Sequence, residues 1–261
     1  MEFFDTHSHY NDEKFDTDRN KIIEETYQNG ITKFTCCGYN IESSQKAFLL
    51  AKQYEYIYAI CGISPQEAPK QIEEIPSMVK QIEQILKTDE KKKVVAVGEI
   101  GLDYYWGKEN QEIQKKLWKE QIQLANQFKL PIVIHTRDAI MDTLQILKQQ
   151  EVTQKGIIHC CSFNRELVKE ALKLGYYISF AGTVTFKNAK NAEEIVNMVP
   201  LEKLLIETDS PYLAPEPKRG TRNNSMNVKY IAEKIAVFRK MQLEEIASIT
   251  YENAKRIFQI Q

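Results

Sequence analysis

Eight short apolar runs, helix-like polar stretches between them and a length of 261 residues predict an α/β protein built as one (β/α)8 TIM barrel. The runs are mostly continuous rather than alternating, as expected of parallel strands covered on both faces. A doubly wound sheet is the structural alternative. No glycine-rich phosphate loop follows the first run, which weighs against its nucleotide-binding version.

The first strand is FFDTH (3–7). A polar stretch over 18–29 follows and stops at Gly30, a helix C-cap residue. ITKFTCC (31–37), IYAICGI (57–63) and VVAVGEI (94–100) supply strands two to four. Ile113, Leu117, Ile122 and Leu124 mark a helix over 111–129, which stops before Pro131. PIVIHT (131–136) and GIIHCC (156–161) are strands five and six. A helix over 164–174 ends at Gly175, and YYISFA (176–181) and LLIETD (204–209) complete the set. The segment 210–227 carries three prolines and no periodicity, and irregular stretches of that length are usually functional or disordered. Helical spacing returns over 227–240 and 243–258. No linker, repeat or low-complexity tract interrupts the chain, so a single domain over 1–261 is expected.

Lysine plus arginine (35) nearly cancels aspartate plus glutamate (36), so a site for a polyanion must be built locally. There is no signal-peptide pattern, and no apolar run approaches the roughly 18 residues of a membrane span. The five cysteines, Cys36, Cys37, Cys61, Cys160 and Cys161, fit no CxxC spacing and read as packing thiols. The expectation is a cytoplasmic protein with neither a membrane association nor an obligate protein partner.

All four histidines, His7, His9, His135 and His159, fall at or just past the C-terminal end of an expected strand. In a barrel those ends share one mouth. His7 and His9 are two apart and point to the same side. Glu99 ends the fourth run and Asp209 the eighth. A carboxylate there carries a large desolvation penalty unless a cation or another partner offsets it. Six imidazole and carboxylate ligands are too many for one tetrahedral ion and suit two divalent ions with open positions, one carboxylate bridging, with Glu99 the natural bridge. A metal-free cluster of histidine–acid pairs is the plainer alternative. Glu207 and Asp103 are candidates to support the ligands from behind. Arg137, and Lys218, Arg219 and Arg222 in the irregular segment, are candidates for phosphate contacts, against plain ion pairing or solvation. Tyr104, Tyr105 and Trp106 offer rings for stacking on bases or for packing a loop.

The motifs FDTHSHY, VVAVGEIGLDYYW, PIVIHTRDA, GIIHCCSF, GYYISFAGTVTFKNAK, LLIETDSPYLAP and the RGTRN loop together resemble those of TatD-family metal-dependent deoxyribonucleases, among the amidohydrolase-like barrels. The resemblance covers nearly the whole chain. It implies a first ion on His7, His9 and Asp209, a second on His135 and His159, and Glu99 between them. It implies divalent-metal-dependent hydrolysis of DNA phosphodiesters, including removal of nucleotides from single-stranded 3′ ends. Asp209 and Glu99 are then the catalytic carboxylates, with Asp209 the general base. Four imidazoles suit Zn2+ or Mn2+ better than Mg2+, which prefers oxygen.

Three motifs depart from the family pattern. Ser64 stands where Gly-x-His-Pro has histidine, Asn224 and Ser225 replace Glu-Pro after Arg222-Asn223, and Cys161-Ser162-Phe163 replaces Phe-Ser-Gly. None touches an expected metal ligand, and the first two bear on substrate choice more than on hydrolysis. A metallohydrolase acting on a lactone, ester or amide is the competing enzyme, although such barrels often bridge their ions with a carboxylated lysine where Glu99 stands here. A barrel that binds nucleic acid or a protein without catalysis is the non-enzymatic competitor.

Overall fold

Strands and helices alternate through the chain in the computed structural model, which describes residues 1–105 and 109–260. The strands are β1 (Phe3–Ser8), β2 (Ile31–Cys37), β3 (Ile57–Cys61), β4 (Val94–Asp103), β5 (Ile132–Arg137), β6 (Gly156–Ile158), β7 (Tyr177–Phe180) and β8 (Leu204–Ile206). The helices are α1 (Arg19–Gln28), α2 (Ile41–Gln53), α3 (Ile75–Lys87), α4 (Gln111–Phe128), α5 (Ile140–Gln149), α6 (Arg165–Lys173), α7 (Ala192–Met198), α8 (Val228–Arg239) and α9 (Leu243–Phe258). The strands are ordered β1 to β8 in one eight-stranded sheet, and β1 meets β8 in a parallel bridge between Ser8 and Ser210. This is the (β/α)8 arrangement expected from the apolar runs. Among the described residues no helix is long and apolar enough to cross a membrane.

Contacts concentrate in two compact units. The first comprises 1–35 and 159–261. Within it β7 and β8 pair in parallel, Ile178 opposite Leu204 and Phe180 opposite Ile206. Helix α9 covers β1 and β8, where Phe4 meets Tyr251 and Phe258 with ring centroids 6.0 and 5.8 Å apart. Thr6 Oγ1 donates to the Ile206 carbonyl at 2.9 Å, and the Asp209 N–H to the His7 carbonyl at 2.9 Å. These bonds carry the β1–β8 pairing out to the residues of chemical interest.

The second unit comprises 36–158. Its strands β3 to β6 pair in parallel. Between Val97↔Ile132 and Ile100↔Ile134, β4 advances three residues while β5 advances two. The extra residue is a bulge, a device that turns a side chain toward a site, and Glu99 sits in it. Gly101 has φ +138°, and a Cβ there would meet the His135 carbonyl at 2.1 Å, so only glycine lets β4 and β5 approach. Gln114 on α4 then continues β4: it accepts from the Asp103 N–H at 2.9 Å and donates to the Asp103 carbonyl at 3.0 Å.

Three expected strand ends move by three residues. β4 runs on to Asp103, so Glu99 lies inside it. β6 stops at Ile158, and His159 is the first residue beyond it. β8 stops at Ile206, three residues short of Asp209. The segment 210–227 is irregular as expected, apart from a single 3-10 turn over Ser225–Asn227. It is nonetheless pinned: Asn223 Nδ2 donates to the carbonyls of Thr208 (2.9 Å) and Tyr212 (2.7 Å).

Candidate metal centre

In the first unit, β1 delivers His7 and carries the chain to His9, both buried. Their Nε2 atoms are 3.2 Å apart. Asp209 Oδ1 lies 3.7 Å from His7 Nε2 and 3.3 Å from His9 Nε2. Ligand atoms that share one cation at about 2.0–2.2 Å stand roughly 3–3.5 Å from one another. Two imidazole nitrogens and a carboxylate oxygen therefore already have the spacing of part of a coordination shell.

Asp209 reaches this position through a left-handed backbone conformation, φ +54°. Aspartate tolerates that region better than most residues, and such departures gather at functional sites. Burial pushes its carboxyl up. The hydrogen bond from His9 and the nearby charges of His159, His7 and His9 outweigh burial and hold it below the usual carboxylate range.

His159 stacks on His7 with ring centroids 4.0 Å apart. Its Nδ1 lies 3.0 Å from Glu207 Oε1, which also accepts the Cys160 N–H at 2.5 Å. Donation from Nδ1 to a carboxylate leaves Nε2 with its lone pair, the tautomer that binds metal. Glu207, expected from sequence to lie one layer deeper, is placed to do this.

In the second unit His135 lies between two acids. Its Nδ1 is 2.7 Å from Glu99 Oε1 and its Nε2 is 3.0 Å from Asp103 Oδ2. Asp103 also accepts from Gln66 Nε2 at 2.9 Å and from the Tyr105 N–H at 3.0 Å. Burial raises the Asp103 carboxyl, but the His135 and Gln66 hydrogen bonds, the His135 charge and the Tyr105 N–H together hold it low. This is a second carboxylate–imidazole pair, with Nδ1 left to ligate beside Glu99. Carboxylates behind histidines are the usual supports of metal-binding imidazoles. The spacing of the ligand atoms and the acids behind the imidazoles fit metal binding. Within the first unit His7, His9 and His159 all bring buried imidazoles to the set.

The basic candidates have different surroundings. The Arg137 guanidinium stacks 3.6 Å from the Tyr105 ring centroid. Lys218 is exposed. Arg219 lies over the Phe186 ring at 4.3 Å and 3.9 Å from Glu216. Arg222 grips Asp18 with two bonds of 2.8 and 2.5 Å and donates to the Lys14 carbonyl at 2.6 Å. That grip ties the β8 loop to the segment after β1. Trp106 lies outside the described residues, and Tyr104 donates its hydroxyl to Asp142 at 2.7 Å.

Asp5 is a buried acid that sequence reasoning did not single out. It accepts from the Thr208 N–H (2.8 Å), Thr208 Oγ1 (2.5 Å) and Ser225 Oγ (2.5 Å). Burial pushes its carboxyl up to about 7, against those hydrogen bonds. Its signal in the sequence was an acid two before His7 in an otherwise apolar strand. Of the departing residues, Ser225 serves Asp5, and Asn224 caps the 3-10 turn by accepting the Met226 N–H at 3.0 Å. Ser64 is buried, and its N–H donates to the Tyr39 carbonyl at 2.7 Å.

Comparison with known proteins agrees with this geometry. The family model described as TatD related DNase matches residues 4–259. A Bacillus subtilis protein described as an uncharacterized metal-dependent hydrolase, YabD, is 43% identical over 98% of this chain and 99% of its own length. The Escherichia coli metal-dependent hydrolase YcfH is 40% identical over 77% of this chain and 73% of its own. The crystal structure of the Escherichia coli TatD homolog YJJV superposes with a TM-score of 0.91 at 28% identity, covering 99% of this chain and 98% of that one. A phosphotriesterase homology protein of Escherichia coli, at 12% identity and a TM-score of 0.72, shares the fold. With its buried histidine–carboxylate sets and a match along nearly its whole length, the chain belongs to the TatD family and is a metal-dependent hydrolase.

Proposed function

We propose that this protein hydrolyses phosphodiester bonds of DNA with two divalent ions, removing nucleotides from single-stranded 3′ ends. His7, His9 and Asp209 would hold one ion, His135 and His159 the other, and Glu99 would bridge them. The observation that carries the reading is the set His7 Nε2, His9 Nε2 and Asp209 Oδ1, held 3.2–3.7 Å apart at the β1–β8 junction.

When bound, the ions supply hydroxide near neutral pH by acidifying water, and they offset the charge that builds on the phosphate oxygens. The chain does the rest. Asp209, beside His7 and His9, would accept the proton of the attacking water at a carboxylate oxygen. Glu207 and Asp103 fix the ring orientation of His159 and His135. Arg137, Lys218 and Arg219 are the exposed cations that would place phosphates. Arg222 is occupied by Asp18 and acts on the loop that carries the other two.

The test is a nuclease assay on 3′- and 5′-labelled single strands with Mn2+, Zn2+ or Mg2+, with lactones and esters assayed in parallel. Shortening from the 3′ end is expected, with a loss of about 10²–10⁴-fold in Asp209→Asn. Turnover of a lactone or ester without cleavage of DNA would overturn the substrate, and near-normal cleavage by Asp209→Asn would overturn the base.

A further inference from the structure

One aromatic ring beside the candidate centre is both exposed and rigid. Tyr212 is 43% exposed, three residues after Asp209. Its N–H donates to the Asp209 carbonyl at 2.9 Å, its carbonyl accepts from Asn223 Nδ2 at 2.7 Å, and its hydroxyl donates to Asp12 Oδ2 at 2.7 Å. Asp12 is itself buried and fixed, accepting the Lys14 N–H at 2.8 Å. The Tyr212 ring thus has little freedom left to lose on binding. A ring fixed at its hydroxyl, on a backbone fixed at both N–H and carbonyl, suits a flat partner.

The surroundings say what that partner is. The Tyr212 ring stands edge-on to His9, centroids 6.3 Å apart, so a molecule on it lies next to a proposed metal ligand. The Lys14 ammonium lies over the ring, 4.1 Å from its centroid. Lys14 is exposed, and among the described residues no carboxylate forms an ion pair with it. An exposed ring with an ammonium resting on its face matches a nucleobase joined to a phosphate, the base taking the face as the ammonium moves to the phosphate. Single-strand binding sites combine these two elements.

We propose that Tyr212 and Lys14 form a nucleotide subsite, in which the ring stacks on the base next to the scissile phosphate and the ammonium takes a neighbouring phosphate. The proposal rests on the reading of DNA as substrate. Stacking explains tolerance of any base, because every base has a π-face. The Asp12–Tyr212 bond sets the ring's angle, so Asp12 is a positioning residue.

The test is a double-mutant cycle on the holoenzyme. A phosphorothioate-protected oligonucleotide, intact or with an abasic residue at each of the two 3′-terminal positions in turn, is titrated by fluorescence anisotropy against the parent and Tyr212→Leu. Removing one base should weaken parent binding by roughly 5- to 150-fold and Tyr212→Leu binding far less. Tyr212→Trp should restore the dependence on the base. Lys14→Gln should flatten the log–log salt dependence by about 0.7, one phosphate contact on a single strand. Equal abasic losses in parent and Tyr212→Leu, with melting temperatures matched, would overturn the subsite. Hydrolysis of an unprotected oligonucleotide and of a small aryl phosphodiester, read alongside, separates the two readings. Cleavage without the coupling removes only the subsite, coupling without cleavage removes only the nuclease, and no binding of DNA at all removes both.

Discussion

Glu207 holds His159 through a 3.0 Å contact to Nδ1, and that contact selects which nitrogen of the ring is left for a metal. The two residues are 48 apart in sequence and meet because β6 ends one residue before His159 and β8 one residue before Glu207. The Cys160 N–H, whose residue has φ +41°, closes on the same oxygen. The ring is therefore held by a backbone turn as well as by a side chain.

Glu207→Gln should weaken metal binding by about 10- to 100-fold while leaving a folded protein, since a neutral amide supports an imidazole less well than a carboxylate. Metal titration by calorimetry, with circular dichroism as the control, measures both. Affinity equal to the parent's would mean that Glu207 has only a packing role.

Gly101→Ala should cost about 3 kcal/mol or more, because the new methyl would enter the His135 carbonyl and the backbone has φ +138°. The β4–β5 pairing that sets Glu99 beside His135 would open. Urea unfolding should show a lower midpoint, and a midpoint unchanged from the parent's would contradict the tight β4–β5 approach.

How far this site could be read in advance depended on sequence distance. The apolar runs and the histidines at their ends carry local signals, since strand period and burial act within a few residues. The end of β4 is set by Gln114, a helix residue that copies the missing hydrogen-bond partners of Asp103, and no local pattern shows that. Arg222 sits in a basic run suggestive of phosphate binding, yet its partner Asp18 is 204 residues away. Asp5 was hidden for the same reason: Thr208 and Ser225, which give it a role, lie on the far side of the sequence.

The Asp18–Arg222 pair gives a pH prediction with a definite sign. The Arg222 hydrogen bond holds the Asp18 carboxyl below its ordinary value. The pair's contribution is therefore complete above the usual carboxylate range near pH 4 and is lost as pH falls through the lowered value. Both side chains are 34% exposed, so solvent screens the pair and about 0.5–1 kcal/mol is the expected size. Arg222→Ala should destabilise by that amount at pH 7 and by less as pH falls below the usual carboxylate range. Urea titrations at several pH values check it, and a difference that does not vary with pH would contradict the ion pair.

Metal stoichiometry tests the division of ligands between two ions. Prolonged chelation should abolish hydrolysis, and Mn2+ or Zn2+ should restore it. The reconstituted parent should then bind two ions per chain. His9→Ala removes one of three ligand atoms held 3.2–3.7 Å apart and should lower occupancy toward one. His135→Ala removes the imidazole beside Glu99 and should also leave about one ion. The two variants should lose different ions, so the doubly substituted protein should bind almost none. Elemental analysis after gel filtration gives these ratios directly. One ion in the parent, lost by either substitution alone, would replace the two-ion centre with a single site that draws on both histidines.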